Sequence, residues 1–106
     1  MKKISNKILS QIKSIVQQQD PAAKIYLFGS RSKGTANTRS DWDLLILLNK
    51  DEITPLAEQA ITHPLYDLEF DTGEIISPQV YSIKEWNNKY RFTAFYQNIM
   101  QEGILL

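Results

Sequence analysis

The 106-residue sequence predicts an α+β fold, a small mixed β-sheet flanked by helices. Three observations predict it. Apolar residues recur at helical spacing near the start of the chain. Two short apolar runs, Ile25-Tyr26-Leu27-Phe28 and Leu44-Leu45-Ile46-Leu47-Leu48, follow at strand length. Further helical stretches then lie on both sides of a third strand instead of alternating strictly with strands, which argues against a long βαβ series.

Taken in order, Ile4, Ile8, Leu9, Ile12, Ile15 and Val16 form the inner stripe of an amphipathic helix. Lys2, Lys3, Lys7 and Lys13 form its wet side, and Asp20-Pro21 ends it. Residues 24–28 read as a short strand. Residues 30–36 read as a turn or short helix, followed by an Asn-Thr-Arg-Ser loop. Residues 41–48 form the second strand, nearly all apolar after Asp43 and therefore buried on both faces. Thr54-Pro55 opens a helix with proline at its first position, and Leu56, Ala57, Ala60 and Ile61 supply its apolar face. Pro64 breaks or restarts it. A second helix over residues 64–72 turns Leu65, Leu68 and Phe70 inward, and Gly73 closes it. Residues 74–82 read as the third strand, where Pro78 indicates an edge or a bulge. Short helices follow over residues 82–89 and 92–101. Gly103 terminates the latter and leaves an apolar tail, Ile104-Leu105-Leu106.

This length supports one domain, residues 1–106, with one core. Apolar residues make up 42% of the chain, an ordinary share for a folded protein. No stretch is apolar for long enough to span a membrane, and the N-terminus lacks a signal-peptide run. With no cysteine, disulfides and thiolate zinc sites are excluded. Twelve basic residues balance 12 acidic ones. Proteins that hold nucleic acid by neutralising phosphates carry a basic surplus, so stable nucleic-acid binding is not favoured.

Chemistry concentrates between the two apolar runs. Gly29-Ser30 follows the first, ten residues intervene, and Asp41-Trp42-Asp43 leads into the second. A Gly-Ser pair alone is an ordinary turn, and Asp-x-Asp alone a solvated strand end; their conjunction on adjacent buried strands is far rarer. Carboxylates two residues apart on a strand share a face, roughly 7 Å apart along the chain. Hard cations such as Mg²⁺ take oxygen ligands, one or two of them carboxylates, with water and substrate phosphates completing the set. Asp41 and Asp43 therefore suit one or two metals bound with a nucleoside triphosphate. Trp42 points to the opposite face, for burial against a helix. Gly29 lets the backbone approach a ligand. Ser30 adds a hydroxyl and an N–H, and a helical turn starting there would make an anion site. Arg31, Lys33 and Arg39 bring positive charge to the same pocket.

At these residues the chain resembles a known family. Phe28-Gly29-Ser30-Arg31-Ser32-Lys33-Gly34-Thr35-Ala36, then Ser40-Asp41-Trp42-Asp43-Leu44, is similar to the signature of the DNA-polymerase-β-type nucleotidyltransferases, and within them to the minimal nucleotidyltransferase (MNT) domains. The resemblance implies the nucleotidyltransferase fold. It implies that Gly29 and Ser30 hold the triphosphate; Arg31 and Lys33, by their charge beside that turn, are the further nucleotide-binding candidates. It implies that Asp41 and Asp43 are catalytic and bind Mg²⁺, and that the nucleotide is ATP. It further implies transfer of AMP to a hydroxyl acceptor.

Family members place a further acid on a neighbouring strand, as general base and part of a two-metal clamp. Here the third strand, Ile75-Ile76-Ser77-Pro78-Gln79-Val80-Tyr81, carries none. Glu74, Asp71, Glu69 and Asp67 lie nearby. Glu74, at the strand's entry, is the best placed of them, and the others sit on a helix where acids are ordinarily solvated. Either the acceptor or solvent supplies the base, or this copy is weakened. His63 beside Pro64 reads as a helix-end residue. Trp86, Tyr90, Phe92, Phe95 and Tyr96 read as core, with any exposed part of that region and the apolar tail available for a partner contact.

Once this core is built, little chain is left to form an acceptor pocket. A second chain, in a homo-oligomer or as a protein acceptor, must complete it. The resemblance implies a HEPN-type helical partner, with the chain acting as an MNT-type antitoxin in the cytoplasm. A small-molecule nucleotidyltransferase and a non-catalytic nucleotide- or partner-binding module are the alternatives.

Overall fold

The computed structural model describes residues 7–34 and 40–106. Lys2, Lys3, Ile4, Thr35, Ala36 and Arg39, all named above, lie outside the described residues. The elements run α1 (Lys7–Gln19), β1 (Lys24–Phe28), α2 (Ser30–Lys33), β2 (Trp42–Leu48), α3 (Pro55–Thr72), β3 (Ile76–Ser82), α4 (Ile83–Asn88), α5 (Ala94–Glu102) and β4 (Ile104–Leu105).

The four strands form one sheet in the order β3-β2-β1-β4. β1 pairs antiparallel with both β2 and β4, and β2 pairs parallel with β3, so the sheet is mixed. β2 is central, and its residues from Leu44 to Leu48 are all buried, as a strand covered on both faces requires. Alternation along β2 divides the core in two. Trp42, Leu44, Ile46 and Leu48 pack with the α1 stripe and with Ile61, Leu65 and Leu68 of α3. Leu45 and Leu47 pack on the other face with Trp86 of α4 and Ile99 of α5. The sheet is thus sandwiched between two helical layers.

Asp20 ends α1 as its composition predicts, and it also ties the sheet. Its carboxylate accepts from Ala22 N–H at 3.0 Å and from Asn49 N–H, just past β2, at 2.7 Å. Pro78 lies on β3, an edge strand, where the missing N–H is tolerated.

Pro64 corrects the expectation of two helices. One helix runs through it from Pro55 to Thr72. Proline removes one ladder bond, but the buried stripe Ile61, Leu65 and Leu68 continues across it and holds both halves on the sheet. His63 is therefore mid-helix and exposed, not at a helix end. Phe70, expected inward, is 90% exposed, and Leu56 is also exposed. Phe70 lies two residues past Leu68, which carries it about 200° around the axis and away from the sheet.

Capping fixes the helix ends. Thr54 Oγ1 accepts from Ala57 N–H at 3.1 Å at the start of α3. Thr54→Ala is expected to cost about 1 kcal/mol, lowering the melting temperature by roughly 4–8 °C in a thermal melt. The apolar tail is an edge strand: Ile104 and Leu105 pair with Leu27 and Tyr26. Trp86, Tyr90, Phe95 and Tyr96 form the second core cluster, as expected, whereas Phe92 is exposed.

Candidate functional site

β1 delivers the chain into a sharp turn at Gly29. Its φ of 74° and ψ of −159° fall in a region that only glycine enters readily. A second constraint acts on the same residue: a Cβ built on Gly29 would collide with the carboxylate of Asp43. The antiparallel register explains the proximity, since Phe28 pairs with Asp43. α2 starts immediately afterward. The Gly29 carbonyl accepts from Ser32 N–H at 3.1 Å, Lys33 N–H at 3.3 Å and Ser32 Oγ at 2.8 Å, which holds the turn closed. The amino end of α2 therefore lies against Asp43.

Asp41 joins the same place. It precedes the first residue of β2, and its Oδ2 accepts from Ser77 Oγ of β3 at 3.2 Å. Ser77 pairs with Asp43 in the parallel register and so shares its sheet face. Burial, and after it the negative charge of Asp41, raises the pKa of Asp43 above the ordinary carboxylate value. The structure thus brings Gly29, Asp41 and Asp43 together, with Ser30 at the head of α2. Trp42 faces the other way, into the core with α1 and α3.

The basic residues divide. The Arg31 guanidinium is turned toward the entry of β2. Its Nε and Nη2 donate to the Ser40 carbonyl at 3.2 and 2.8 Å. It also lies 3.9 Å from the centre of the Trp42 ring and 3.9 Å from Glu74 Oε2. Arg31 therefore clamps α2 to the strand that carries the aspartates. Lys33 Nζ makes an exposed ion pair with Glu102 Oε2 of α5 at 3.3 Å. Between them a cavity of about 180 Å³ opens beside Gly29, lined also by Phe28, Phe95, Asn98 and Ile99.

The candidate third acids differ in their surroundings. Glu74 faces Arg31, Glu69 Oε2 accepts from Ile76 N–H at 2.7 Å and so caps the start of β3, and Asp71 is exposed. Among the described residues no three acidic, histidine or cysteine side chains cluster as a metal site. Ser77 is the site residue with no sequence signal of its own; knowing the parallel β2–β3 pairing would have pointed to it. The donors at the pair are carboxylate oxygens, which fit a hard divalent cation such as Mg²⁺ and not a soft one.

A family model described as polymerase beta, nucleotidyltransferase matches residues 10–106. No curated protein matches the chain significantly. Three solved structures resemble it in fold. One is a toxin–antitoxin with AMP-PNP, at TM-score 0.64 and 22% identity, covering 91% of this chain and 69% of that one. Another is a tyrosine-to-alanine mutant of the toxin–antitoxin MntA-HpeT, at TM-score 0.61 and 22% identity, covering 92% and 70%. The third is a double aspartate-to-glutamate mutant of MntA-HpeT, at TM-score 0.63 and 20% identity, covering 91% and 69%. Among the described residues, no helix is long and apolar enough to cross a membrane.

Proposed function

The chain belongs to the polymerase beta nucleotidyltransferase family, and from that premise we propose that it transfers AMP from ATP to a hydroxyl of a partner protein, as an MNT-type antitoxin. The convergence of Gly29, Asp41 and Asp43 at one end of the sheet carries this reading. The resemblance to toxin–antitoxin structures, one of them with AMP-PNP, supports the nucleotide and the partner. In another, two mutated aspartates stand two positions apart, the same spacing as Asp41 and Asp43.

In this mechanism the triphosphate lies along the Gly29–Ser30 turn. Asp41 and Asp43 would hold Mg²⁺, which when bound supplies positive charge against the transferring phosphoryl group. The acceptor oxygen bonds to the α-phosphorus as the bond to pyrophosphate breaks, and the acceptor's proton passes to solvent or to a group on the acceptor. Lys33 leaves its exposed pair with Glu102, worth at most about 1 kcal/mol, to meet a phosphate. Arg31 acts from behind by keeping α2 aligned with β2. Most of the acceleration comes from positioning and charge stabilisation. A HEPN-type helical protein is the proposed acceptor, in the cytoplasm.

Incubation with α-labelled ATP, Mg²⁺ and the protein encoded beside this one tests the proposal. Label on the partner is the expected result. Label on a small hydroxylated compound would replace the acceptor. Tight partner binding without label, surviving loss of both aspartates, would make the chain a binding module.

A further inference from the structure

Asp43 and Asp41 are oriented by different means. Asp43 lies in the β2 ladder, pressed against the bare Cα of Gly29. Asp41 stands one residue before the first strand position, Trp42, so the ladder does not fix its carboxylate. The torsion that turns a carboxylate is broad and soft. Among the described residues, this one is held by the hydroxyl of Ser77, donating to Oδ2 at 3.2 Å from the adjacent strand. A hydroxyl has a single proton to give, so Ser77 itself leaves the second carboxylate oxygen to another ligand. Ser77 also stands opposite Asp43 in the β2–β3 register. It thus touches Asp41 and stands beside Asp43 on the neighbouring strand.

We infer that Ser77 is the positioning residue of this pair, its hydroxyl orienting Asp41 toward a divalent cation from the place where an acid on β3 would complete a three-carboxylate set. The inference rests on the metal-dependent reading above. Without the hydroxyl, the like charge of Asp43 turns the unrestrained Asp41 carboxylate away, and the pair no longer presents its oxygens together. An acid at this position would instead add a third oxygen donor on the same face.

Mn²⁺ alone, titrated without nucleotide and followed by the electron paramagnetic resonance signal of the free ion, separates these effects. Ser77→Ala is expected to weaken Mn²⁺ binding about tenfold, the usual cost of removing a partner that orients a metal ligand. Ser77→Thr keeps the hydroxyl and should retain the affinity. Ser77→Asp should tighten it. Thermal melts of each variant in chelator establish that it is folded, and Ser77→Thr and Ser77→Asp test the same point if Ser77→Ala melts early. Unchanged Mn²⁺ affinity in Ser77→Ala, with wild-type binding that Asp41→Asn abolishes, overturns the inference and leaves the metal-dependent reading standing. A wild-type chain that binds no Mn²⁺ overturns both.

Discussion

Asp43→Asn is expected to cut nucleotidyl transfer by about 10²–10³-fold, the scale on which removing one group aimed at developing charge acts, and to raise the melting temperature measured in chelator. The two effects have one origin. Asp43 is held in a partly buried position beside Asp41, and both circumstances disfavour its charged form. Its folded pKa therefore lies above the unfolded value of about 3.9. In the window between those two values the folded state binds more protons than the unfolded state, so stability falls as pH rises. Above the folded pKa the penalty is fully present; below the unfolded pKa it is absent. Asparagine has almost the same shape and no charge, which removes the penalty.

Melts in chelator from pH 4 to 8 check the sign. The advantage of Asp43→Asn over wild type should widen from the acid end and then level off. Added Mg²⁺ should reverse the ranking, because a ligand that binds only the folded state stabilises it by RT ln(1 + [L]/Kd), and the asparagine variant binds it more weakly. An asparagine variant that melts below wild type in chelator at every pH, or that retains full transfer activity, would remove the electrostatic basis of the site.

The parts of this fold that were legible in the sequence are those set by local pattern. The apolar runs around Leu27 and Ile46 are strands because their neighbours offer no helical stripe, and Asp20-Pro21 ends α1 by its own chemistry. What escaped depends on where elements dock. Pro64 has strong local reasons to end a helix, yet Ile61 and Leu65 on either side of it reach the same sheet face and carry the helix through. Ile104-Leu105 is too short for any periodicity, and only the free edge of β1 makes it a strand. The site divides the same way. Gly29, Asp41 and Asp43 announce themselves by residue type and spacing. Ser77 does not, because its meaning comes from the parallel β2–β3 register. Arg31 reads from composition as a charge for the ligand, whereas its head is occupied by the Ser40 carbonyl and the Trp42 ring.

Gly29→Ala should be far more damaging than a single methyl group suggests. The turn's φ of 74° and ψ of −159° exclude an ordinary side chain, at a cost of about 1–3 kcal/mol. The same methyl would also have to displace the Asp43 carboxylate, which separates the aspartates from the turn. Gly73→Ala is the internal control. Gly73 has a φ of +75° at the carboxyl end of α3, but a Cβ there meets nothing within 4 Å. Both variants should lose stability in a thermal melt, by about 1 kcal/mol for Gly73→Ala and more for Gly29→Ala. Only Gly29→Ala should also lose Mn²⁺ binding and transfer. The two effects separate because backbone strain is common to both positions and contact with a carboxylate is not. If Gly29→Ala kept its Mn²⁺ affinity, the turn and the acid pair would be neighbours in space with no shared function.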